Sequence, residues 1–255
     1  MIKPKKHLGQ HFLRDQNIAG KIAGSLEVPA QCRVYEIGPG TGILTAYLVE
    51  RFPGRLGLFE IDREVIPILK ERFPQLEESI VHADFLRVKA ADYFTGTTAL
   101  IGNLPYNISS QILFRVLENR SSVVQVVCML QKEVAERIIS PPGNKDYGIL
   151  SVLLQSYYKA EYLFTVGELV FFPPPKVKSA VIRLSRNDRE DTDEEYRMLL
   201  HIVKTSFNQR RKTLHNSLGR GMPQLELDAN TAGKRAEELS VDDFKTLVQK
   251  ALGRR

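Results

Sequence analysis

The sequence predicts an α/β fold in which parallel strands alternate with helices, followed by a small α-helical domain. Four short apolar strands end at Gly38, Glu60, Asp84 and Asn103, at intervals of 22, 24 and 19 residues. Each interval has room for one helix and one returning strand. From Tyr196 onward, apolar residues recur with helical spacing. The four strand ends are therefore expected to share one edge of the sheet, where open α/β sheets bind their ligands.

Periodicity, capping residues and turn residues assign the elements in order. Asp15 is placed to cap the first helix, Ser109 to cap a central one, and Ser240 with Asp243 to form a capping box for the last. The Val-rich segment 123–130 does not alternate, which predicts a strand buried on both faces. The predicted strands are residues 33–37, 56–60, 79–84, 99–103, 123–130, 162–166 and 180–184, and the predicted helices are residues 15–25, 44–49, 65–73, 109–117, 149–157, 196–207 and 240–252.

Length and composition are those of an ordinary soluble globular protein. The 255 residues, 43% of them hydrophobic and 26% charged, allow one large domain or a larger and a smaller one. Cys32 and Cys128 lack the spacing of a metal site or a disulfide framework, so we expect reduced core cysteines and no metal. No apolar run is long enough for a signal-peptide core or a membrane span, so we expect a cytoplasmic protein with no membrane partner.

The charge is concentrated near the carboxyl terminus. The polar segment 187–195 predicts a hinge, which divides the chain into domains 1–186 and 187–255. From Arg197 to the end there are 12 Lys and Arg residues against 6 Asp and Glu residues, a net +6 that equals the charge of the whole chain. This excess is typical of contacts with a phosphate backbone, although a solvated helix face has the same composition.

The turn at residues 38–42 (GPGTG) indicates a nucleoside-binding crevice. Glycines at such a turn let a ligand approach the backbone, but the spacing differs from the Gly-x-Gly-x-x-Gly of dinucleotide enzymes. Glu60, at the end of the next strand, is placed to accept both hydroxyls of a ribose. Because Glu60 and Asp84 are acids, a cofactor without phosphate, such as S-adenosylmethionine, fits better than a nucleotide.

The segment 101–106 (IGNLPY) places acceptors and a ring at a strand end. The Asn103 amide and the Leu104 carbonyl can accept hydrogen bonds from an exocyclic amine, and Tyr106 can stack on its ring. Taken alone, the segment is equally well a strand that ends in a turn. Further along, Phe172 precedes three prolines; composition favours its burial, and the alternative is a second wall of a base pocket.

Five motifs in order resemble the family of small-subunit ribosomal RNA adenine dimethyltransferases. They are residues 9–13 (GQHFL), 36–42 (EIGPGTG), 103–109 (NLPYNIS), 172–181 (FPPPKVKSAV) and 207–214 (FNQRRKTL). The resemblance covers nearly the whole chain. It implies a Rossmann-like methyltransferase sheet with a small helical domain, and S-adenosylmethionine as cofactor. The implied reaction transfers two methyl groups to each of two adjacent adenosines near the 3′ end of the RNA.

The resemblance also implies roles for individual residues, carried over by position. The cofactor contacts would be His11, Leu13, Gly38, Gly40, Glu60, Asp84 and Asn103, the target-adenine residues would be Asn103, Leu104, Pro105, Tyr106 and Phe172, and the RNA contacts would be Lys176, Arg210, Arg211 and Lys212. His11 stands where many members have Asn, and Lys178 where Asp is common. The N-terminal arm that contains Gly9 and Gln10 would then cover the site.

Two alternatives remain open from sequence. A large-subunit RNA adenine methyltransferase of the erythromycin-resistance type shares the architecture, but the loop at 172–181 and the run at 207–214 favour the small-subunit family. A non-catalytic ribosome assembly factor could use the same fold, although the intact NLPY segment and glycine turn favour an enzyme. The expected partner is small-subunit RNA in its pre-ribosomal particle, and the expected state is a monomer.

Overall fold

The computed structural model describes residues 4–187, 189–223 and 225–254, which form two compact units. The first, here called the sheet unit, contains the chain up to Ala135 together with Glu161–Arg186. The second, the helical unit, contains Glu136–Ala160 and the chain from Asn187 onward. The helical unit therefore takes in Glu136–Ala160, which the sequence prediction assigned to domain 1–186.

The chain forms nine strands and eleven α-helices within the described residues. The strands are β1 Phe12–Leu13, β2 Arg33–Ile37, β3 Leu56–Glu60, β4 Ile80–His82, β5 Thr98–Asn103, β6 Val123–Gln131, β7 Tyr158–Val166, β8 Phe171–Phe172 and β9 Ser179–Arg186. The helices are α1 Gln16–Gly24, α2 Thr45–Arg51, α3 Ile66–Arg72, α4 Ala90–Tyr93, α5 Ser109–Glu118, α6 Lys132–Ile139, α7 Ile149–Tyr157, α8 Asp193–Asn208, α9 Leu214–Gly221, α10 Ala229–Gly233 and α11 Val241–Ala251. The predicted strands and helices are confirmed, with shifts of a few residues at their ends.

A seven-stranded sheet in the order β4-β3-β2-β5-β6-β9-β7 organises the fold. The five strands from β4 to β6 are parallel, and β9 pairs with β6 antiparallel. The chain runs from β2 outward to β4 and then crosses to β5 on the other side of β2. This reversal makes β2 and β5 the topological switch point, where α/β sheets open a crevice at their carboxyl ends.

Burial explains why these segments are strands and where the core lies. Every residue of β3 is buried, and β6 is buried along almost its whole length, as its Val-rich sequence predicts. Cys32 and Cys128 are free and buried, as expected. A separate two-stranded ribbon pairs β1 with β8 and ties the N-terminal arm to the loop before β9.

Helix caps agree with the sequence at most positions. The Asp15 side chain accepts from the backbone N–H of Ile18, and Ser240 with Asp243 forms the predicted capping box. The prediction that Ser109 caps a helix is wrong, because Ser109 is the first residue of α5 and its Oγ donates to the Tyr106 carbonyl. The predicted hinge 187–195 is also too long, since Thr192 caps α8.

The helical unit has a core of its own. Tyr147, Phe207 and Phe244 form an aromatic cluster, with ring centroids about 6.1 Å apart for each contacting pair. Leu199 and Val203 are fully buried on one face of α8, which is the face that the helical spacing predicts. Among the described helices, none combines the length and hydropathy required to cross a bilayer.

Candidate active site at the carboxyl edge of the sheet

A cleft opens where β2, β3, β4 and β5 end, beside the switch point between β2 and β5. It is lined by Leu8, Gly9, Gln10, His11, Phe12, Ile37, Gly38, Gly40, Phe59, Glu60, Ile61, Ala83, Asp84, Phe85, Asn103, Leu104, Pro105, Tyr106, Ile108 and Ile112. The structure therefore brings together most of the residues predicted for the site. Leu13 and Phe172 do not line the cleft.

The glycine turn after β2 has two distinct uses. Gly38 has a φ of +67°, and a Cβ added to it would meet nothing within 4 Å, so its backbone faces open space in the cleft. Gly40 has a φ of +53°, and a Cβ there would lie 2.9 Å from the Phe12 ring. Gly38 thus leaves room for a ligand to approach the backbone, whereas Gly40 makes room for the arm.

Glu60 is held at the end of β3 with its carboxylate already oriented. It is only 3% exposed, and its two carboxylate oxygens accept from the backbone N–H groups of Gly40 and Asp62, at 3.1 and 2.8 Å. Burial raises the pKa of Glu60, while the backbone hydrogen bonds act in the opposite direction. A buried carboxylate with spare acceptor capacity can receive hydrogen bonds from sugar hydroxyls.

The adjoining wall is apolar and includes residues that sequence reasoning missed. Ile61 directly follows Glu60, and Phe85 directly follows Asp84. Ile61 is 46% exposed although it is a large hydrophobic residue, which fits a flat aromatic ligand that would cover it. The signal was present in the sequence, because each acidic strand end is followed by an apolar side chain.

Asp84 lies just beyond the end of β4. Its Oδ1 accepts from the backbone N–H of Leu86 at 3.0 Å, and its Oδ2 lies 3.4 Å from the Nε of the exposed Arg87. The backbone N–H of Ala83 donates to the Glu60 carbonyl at 3.0 Å. These contacts fix Asp84 near Glu60 and leave part of its carboxylate available to a ligand amine.

Asn103 ends β5 with its amide orientation fixed by the arm. Its Nδ2 donates to the backbone carbonyl of His11 at 2.9 Å. Because the amide nitrogen is used in this way, Oδ1 is the atom left to accept from a ligand. Leu104 is anchored by its own backbone N–H, which donates to the Met129 carbonyl at 2.9 Å.

Tyr106 is packed between the arm and β9. Its ring stacks on His11, with centroids 5.4 Å apart and planes inclined by 26°, and its hydroxyl hydrogen-bonds to the buried Ser179. Burial raises the pKa of Tyr106, so its hydroxyl is neutral. His11 Nδ1 lies 2.7 Å from the Pro173 carbonyl, and a carbonyl only accepts, so Nδ1 carries the proton.

Phe172 is more exposed than the sequence predicts. Composition favoured burial, but the side chain is 38% exposed, so that expectation is wrong. The Arg14 guanidinium lies 4.1 Å from the centroid of the Phe172 ring, and Phe172 pairs across the ribbon with Phe12. Local sequence could not show this, because the ribbon joins segments that are distant in the chain.

Leu13 lies behind the cleft in the hydrophobic core. It is 4% exposed and lines a small adjoining cavity with Glu36 and the glycine turn. Burial raises the pKa of Glu36 to about 8, and Thr45 Oγ1 donates to this carboxyl group at 2.6 Å. Glu36 is therefore largely protonated at neutral pH and adds little charge behind the glycine turn. Phe12, which was not predicted, provides the contact to the cleft at this position.

The residues predicted to contact RNA differ in how exposed their side chains are. Lys176, Arg211 and Lys212 are exposed. Arg210 is partly engaged within the helical unit, where its guanidinium pairs with Glu237 at 2.9 Å and donates to the Lys145 carbonyl. Of the predicted set, Lys176, Arg211 and Lys212 are therefore more exposed to an approaching phosphate than Arg210.

The lining shows which cofactor fits. Glu60 and Asp84 supply two acids, and the described lining includes no Lys or Arg that would neutralise phosphates. Gly38 leaves open space at the turn, and Ile61 and Phe85, which follow the two acids in the chain, add apolar surface to the lining. This arrangement suits a nucleoside with an adjacent positive charge, which is the chemistry of S-adenosylmethionine. Within the described residues, no group of three His, Cys, Asp or Glu side chains is arranged to hold a metal ion.

Comparisons with known proteins point in the same direction. A family profile described as ribosomal RNA adenine dimethylase matches residues 1–251. The ribosomal RNA small subunit methyltransferase A of Cytophaga hutchinsonii is 49% identical over 255 residues, which covers 99% of each chain. The protein of the same name from Porphyromonas gingivalis is 51% identical and covers 97% of each chain.

Two solved structures resemble the whole chain. The dimethyladenosine transferase from Plasmodium falciparum has a TM-score of 0.77 and 25% identity, covering 93% of this chain and 96% of that one. The 23S rRNA methyltransferase ErmE has a TM-score of 0.71 and 26% identity, covering 94% and 98%. The fold is thus shared with one enzyme named as a dimethyladenosine transferase and with one named as a 23S rRNA methyltransferase.

Proposed function

This chain belongs to the family of ribosomal RNA adenine dimethylases, and on that premise we propose how its site acts on RNA. It is an S-adenosylmethionine-dependent methyltransferase that dimethylates the exocyclic amines of two adjacent adenosines near the 3′ end of small-subunit ribosomal RNA. The observation that carries the proposal is the fixed amide of Asn103, whose Nδ2 is bound to the arm and whose Oδ1 is left as an acceptor.

The amine is activated by hydrogen bonding. The lone pair of an adenine amine is delocalised into its ring, so the nitrogen is a poor nucleophile. Before the first transfer, hydrogen bonds from its two N–H groups to Asn103 Oδ1 and the Leu104 carbonyl draw the nitrogen toward tetrahedral geometry and stabilise the developing positive charge. Before the second transfer, the one remaining N–H donates to one of these acceptors. Positioning therefore contributes more than a strong base.

The cofactor residues hold the donor beside that amine. When bound, S-adenosylmethionine supplies an electrophilic methyl group on a sulfonium. Glu60 would accept from the ribose hydroxyls, Asp84 would accept from the adenine amine, and Ile61 with Phe85 would enclose the adenine ring. Gly38 allows close approach of the cofactor to the backbone. The arm, with His11 above Tyr106, excludes water from the same space.

The target base is held by aromatic side chains. Tyr106 and Phe172 stack on the extruded adenine, and each stacked pair contributes about 1 to 3 kcal/mol. His11 stacks on the Tyr106 ring. The target base must therefore displace His11 to reach Tyr106, or it stacks on the outer face of His11. Phe172 is 38% exposed, with the Arg14 guanidinium over its ring, so part of the side chain is accessible to the base.

The relatives favour the small subunit over the large subunit. The two curated relatives described above are both named as small-subunit enzymes, at 49% and 51% identity. ErmE shares the fold at 26% identity. We infer from these names a small-subunit RNA substrate, and we further propose that the enzyme acts as a monomer on the pre-ribosomal particle, in the cytoplasm, during subunit maturation. Lys176, Arg211 and Lys212 contact the phosphate backbone.

Methylation of three substrates side by side tests this function. Tritium from labelled S-adenosylmethionine is measured in undermodified small subunits or their precursors, in free small-subunit RNA and in large subunits. We expect incorporation of four methyl groups per small subunit, mapped to two adjacent adenosines, and none in large subunits. Preferential labelling of the large subunit would support the alternative enzyme, and no labelling of any substrate would support a non-catalytic assembly factor.

A further inference from the structure

The N-terminal arm, defined here as residues 4–14, is tied to the sheet unit at both ends. At its far end, Phe12 and Leu13 pair with β8, and the backbone N–H of Arg14 donates to the Val170 carbonyl at 2.8 Å. At its near end, Lys5 Nζ lies 2.6 Å from Asp62 Oδ1, and Gln10 Nε2 donates to Asp62 Oδ2 at 3.0 Å. The arm therefore crosses the cleft as a strap with two attachments.

Asp62 is an unusual attachment because it is buried and charged. The residue is 2% exposed, and its Oδ1 also accepts from the backbone N–H of Glu64 at 3.0 Å. Burial alone would raise the pKa of Asp62, but the hydrogen bonds from Lys5, Gln10 and the Glu64 backbone, with the charge of Lys5, together outweigh it and lower the pKa. A buried carboxylate that lost these partners would be strongly disfavoured, so the attachment is a firm one.

Gln10 connects the attachment within the arm itself. Its Oε1 accepts from the backbone N–H of Lys5 at 2.7 Å, while its Nε2 reaches Asp62. This closes the segment from Lys5 to Gln10 into a rigid loop. Gly9 inside the loop has a φ of +63°, and a Cβ there would lie 2.5 Å from the Asn107 side-chain oxygen. The loop is thus fitted closely against the segment that carries Asn103.

The next residue after this loop touches the reaction site. The His11 carbonyl accepts from Asn103 Nδ2, and this bond selects the orientation of the amide. On the opposite side, the backbone N–H of Asp62 donates to Glu60 at 2.8 Å. Three hydrogen bonds, connected through Asp62 and the Gln10–His11 backbone, therefore join the ribose acceptor to the target-amine acceptor.

We propose that Asp62 is a positioning residue that anchors the arm over the cleft and thereby sets both the cofactor site and the orientation of Asn103. This inference rests on the proposed function for the role of Asn103, but the anchor itself is independent of it. Gln10 acts through Asp62, and Lys5 acts through Asp62 and the exposed Glu64, whose Oε1 lies 3.1 Å from Lys5 Nζ. Neither residue touches the reacting atoms. Release of the anchor frees the near end of the arm and leaves the sheet and the pairing of β1 with β8 intact.

Hydrogen exchange of the free protein tests the anchor directly. The variants are Lys5→Met and Asp62→Asn, and the matched control is Lys6→Met, a neighbouring exposed lysine of the same loop. We expect faster exchange in peptides from residues 4–14 in both anchor variants, unchanged exchange in the peptides of β2 and β5, and wild-type exchange in the control. Unchanged exchange of the arm in Lys5→Met and in Asp62→Asn would overturn the proposal.

Binding and kinetics test the positioning. We expect the affinity for S-adenosylhomocysteine, measured by calorimetry, to fall about tenfold in Lys5→Met, as for loss of a charged hydrogen bond. The double variant Lys5→Met/Asp62→Asn should bind no more weakly than Asp62→Asn, and Lys5→Arg should recover most of the affinity. At saturating cofactor, kcat should still fall in Lys5→Met because Asn103 is no longer oriented.

The outcomes separate this inference from the proposed function. A freed arm with weakened binding, in a protein that labels no RNA, would support the anchor and contradict the function. A freed arm with unchanged kcat at saturating cofactor would overturn the role of the anchor in positioning Asn103.

Discussion

The cleft has two halves that are assembled in different ways. The cofactor half consists of Gly38, Glu60 and Asp84, which stand at or just beyond the ends of consecutive strands. The target-base half consists of Tyr106 and Phe172, which belong to separate segments joined through the arm. The hydrogen bond from His11 to the Pro173 carbonyl alone spans 162 residues of chain.

The difference teaches that the two halves depend on different interactions. The cofactor half follows from the parallel topology and from local backbone contacts, such as the bond from Gly40 to Glu60. The target-base half depends on tertiary contacts between the arm, the segment after β5 and the loop before β9. Substitutions in the first half should therefore change cofactor affinity, whereas those in the second half should change the use of RNA.

Asn103→Ala should have the largest effect, because Asn103 stands where the halves meet. Loss of an oriented acceptor at the reacting nitrogen should lower kcat by about 10²- to 10³-fold, as for removal of one preorganised hydrogen bond in a transition state. Steady-state methylation of small subunits gives kcat, and calorimetry with S-adenosylhomocysteine gives cofactor affinity. Near wild-type methylation together with normal cofactor affinity would contradict the orienting role.

Phe172→Ala should affect RNA use alone. Loss of one stacking surface should raise KM for the RNA or lower kcat/KM by roughly 5- to 150-fold, which corresponds to 1 to 3 kcal/mol. Val177→Ala is the matched control, since Val177 is also an exposed apolar side chain of the same loop, at 45% exposure. An equal loss in both variants would argue for a general disturbance of the loop and against stacking.

The contrast also explains how much the sequence could predict. The strand ends at Gly38, Glu60 and Asn103 were predictable because strand length, intervening helix length and parallel handedness leave few arrangements. The anchor at Asp62 could not be predicted, because its partners Lys5 and Gln10 lie on an arm whose sequence has no periodicity. Phe172 was predicted buried from composition, which ignores that β8 is a two-residue ribbon strand at the surface.

Glu60→Gln should change the cofactor half alone. Replacing the carboxylate weakens the ribose hydrogen bonds, so the affinity for S-adenosylhomocysteine should fall about tenfold, with little change in KM for RNA. Because burial raises the pKa of Glu60, wild-type affinity should decline as the pH falls, starting at a higher pH than for an exposed glutamate. The affinity of Glu60→Gln for the cofactor should not show this decline with falling pH.

Calorimetry across the acid pH range measures both effects. Glu71→Gln is the control, because Glu71 is an exposed acid on α3, the helix that follows β3. If Glu60→Gln bound the cofactor like the wild type at neutral pH, Glu60 would not be the ribose acceptor.

Ser179→Ala should have the smallest effect. It tests whether Ser179 acts in the target-base half alone. Ser179 is fully buried, and its Oγ is the hydrogen-bond partner of the Tyr106 hydroxyl. Loss of one neutral hydrogen bond, worth about 0.5 to 1.5 kcal/mol, should loosen the Tyr106 ring and lower kcat/KM for RNA by roughly two- to tenfold. Tyr106→Phe removes the same bond from the other side, so the double variant should be no worse than either single one. Additive losses, or a matching loss of cofactor affinity, would place Ser179 outside the target-base half.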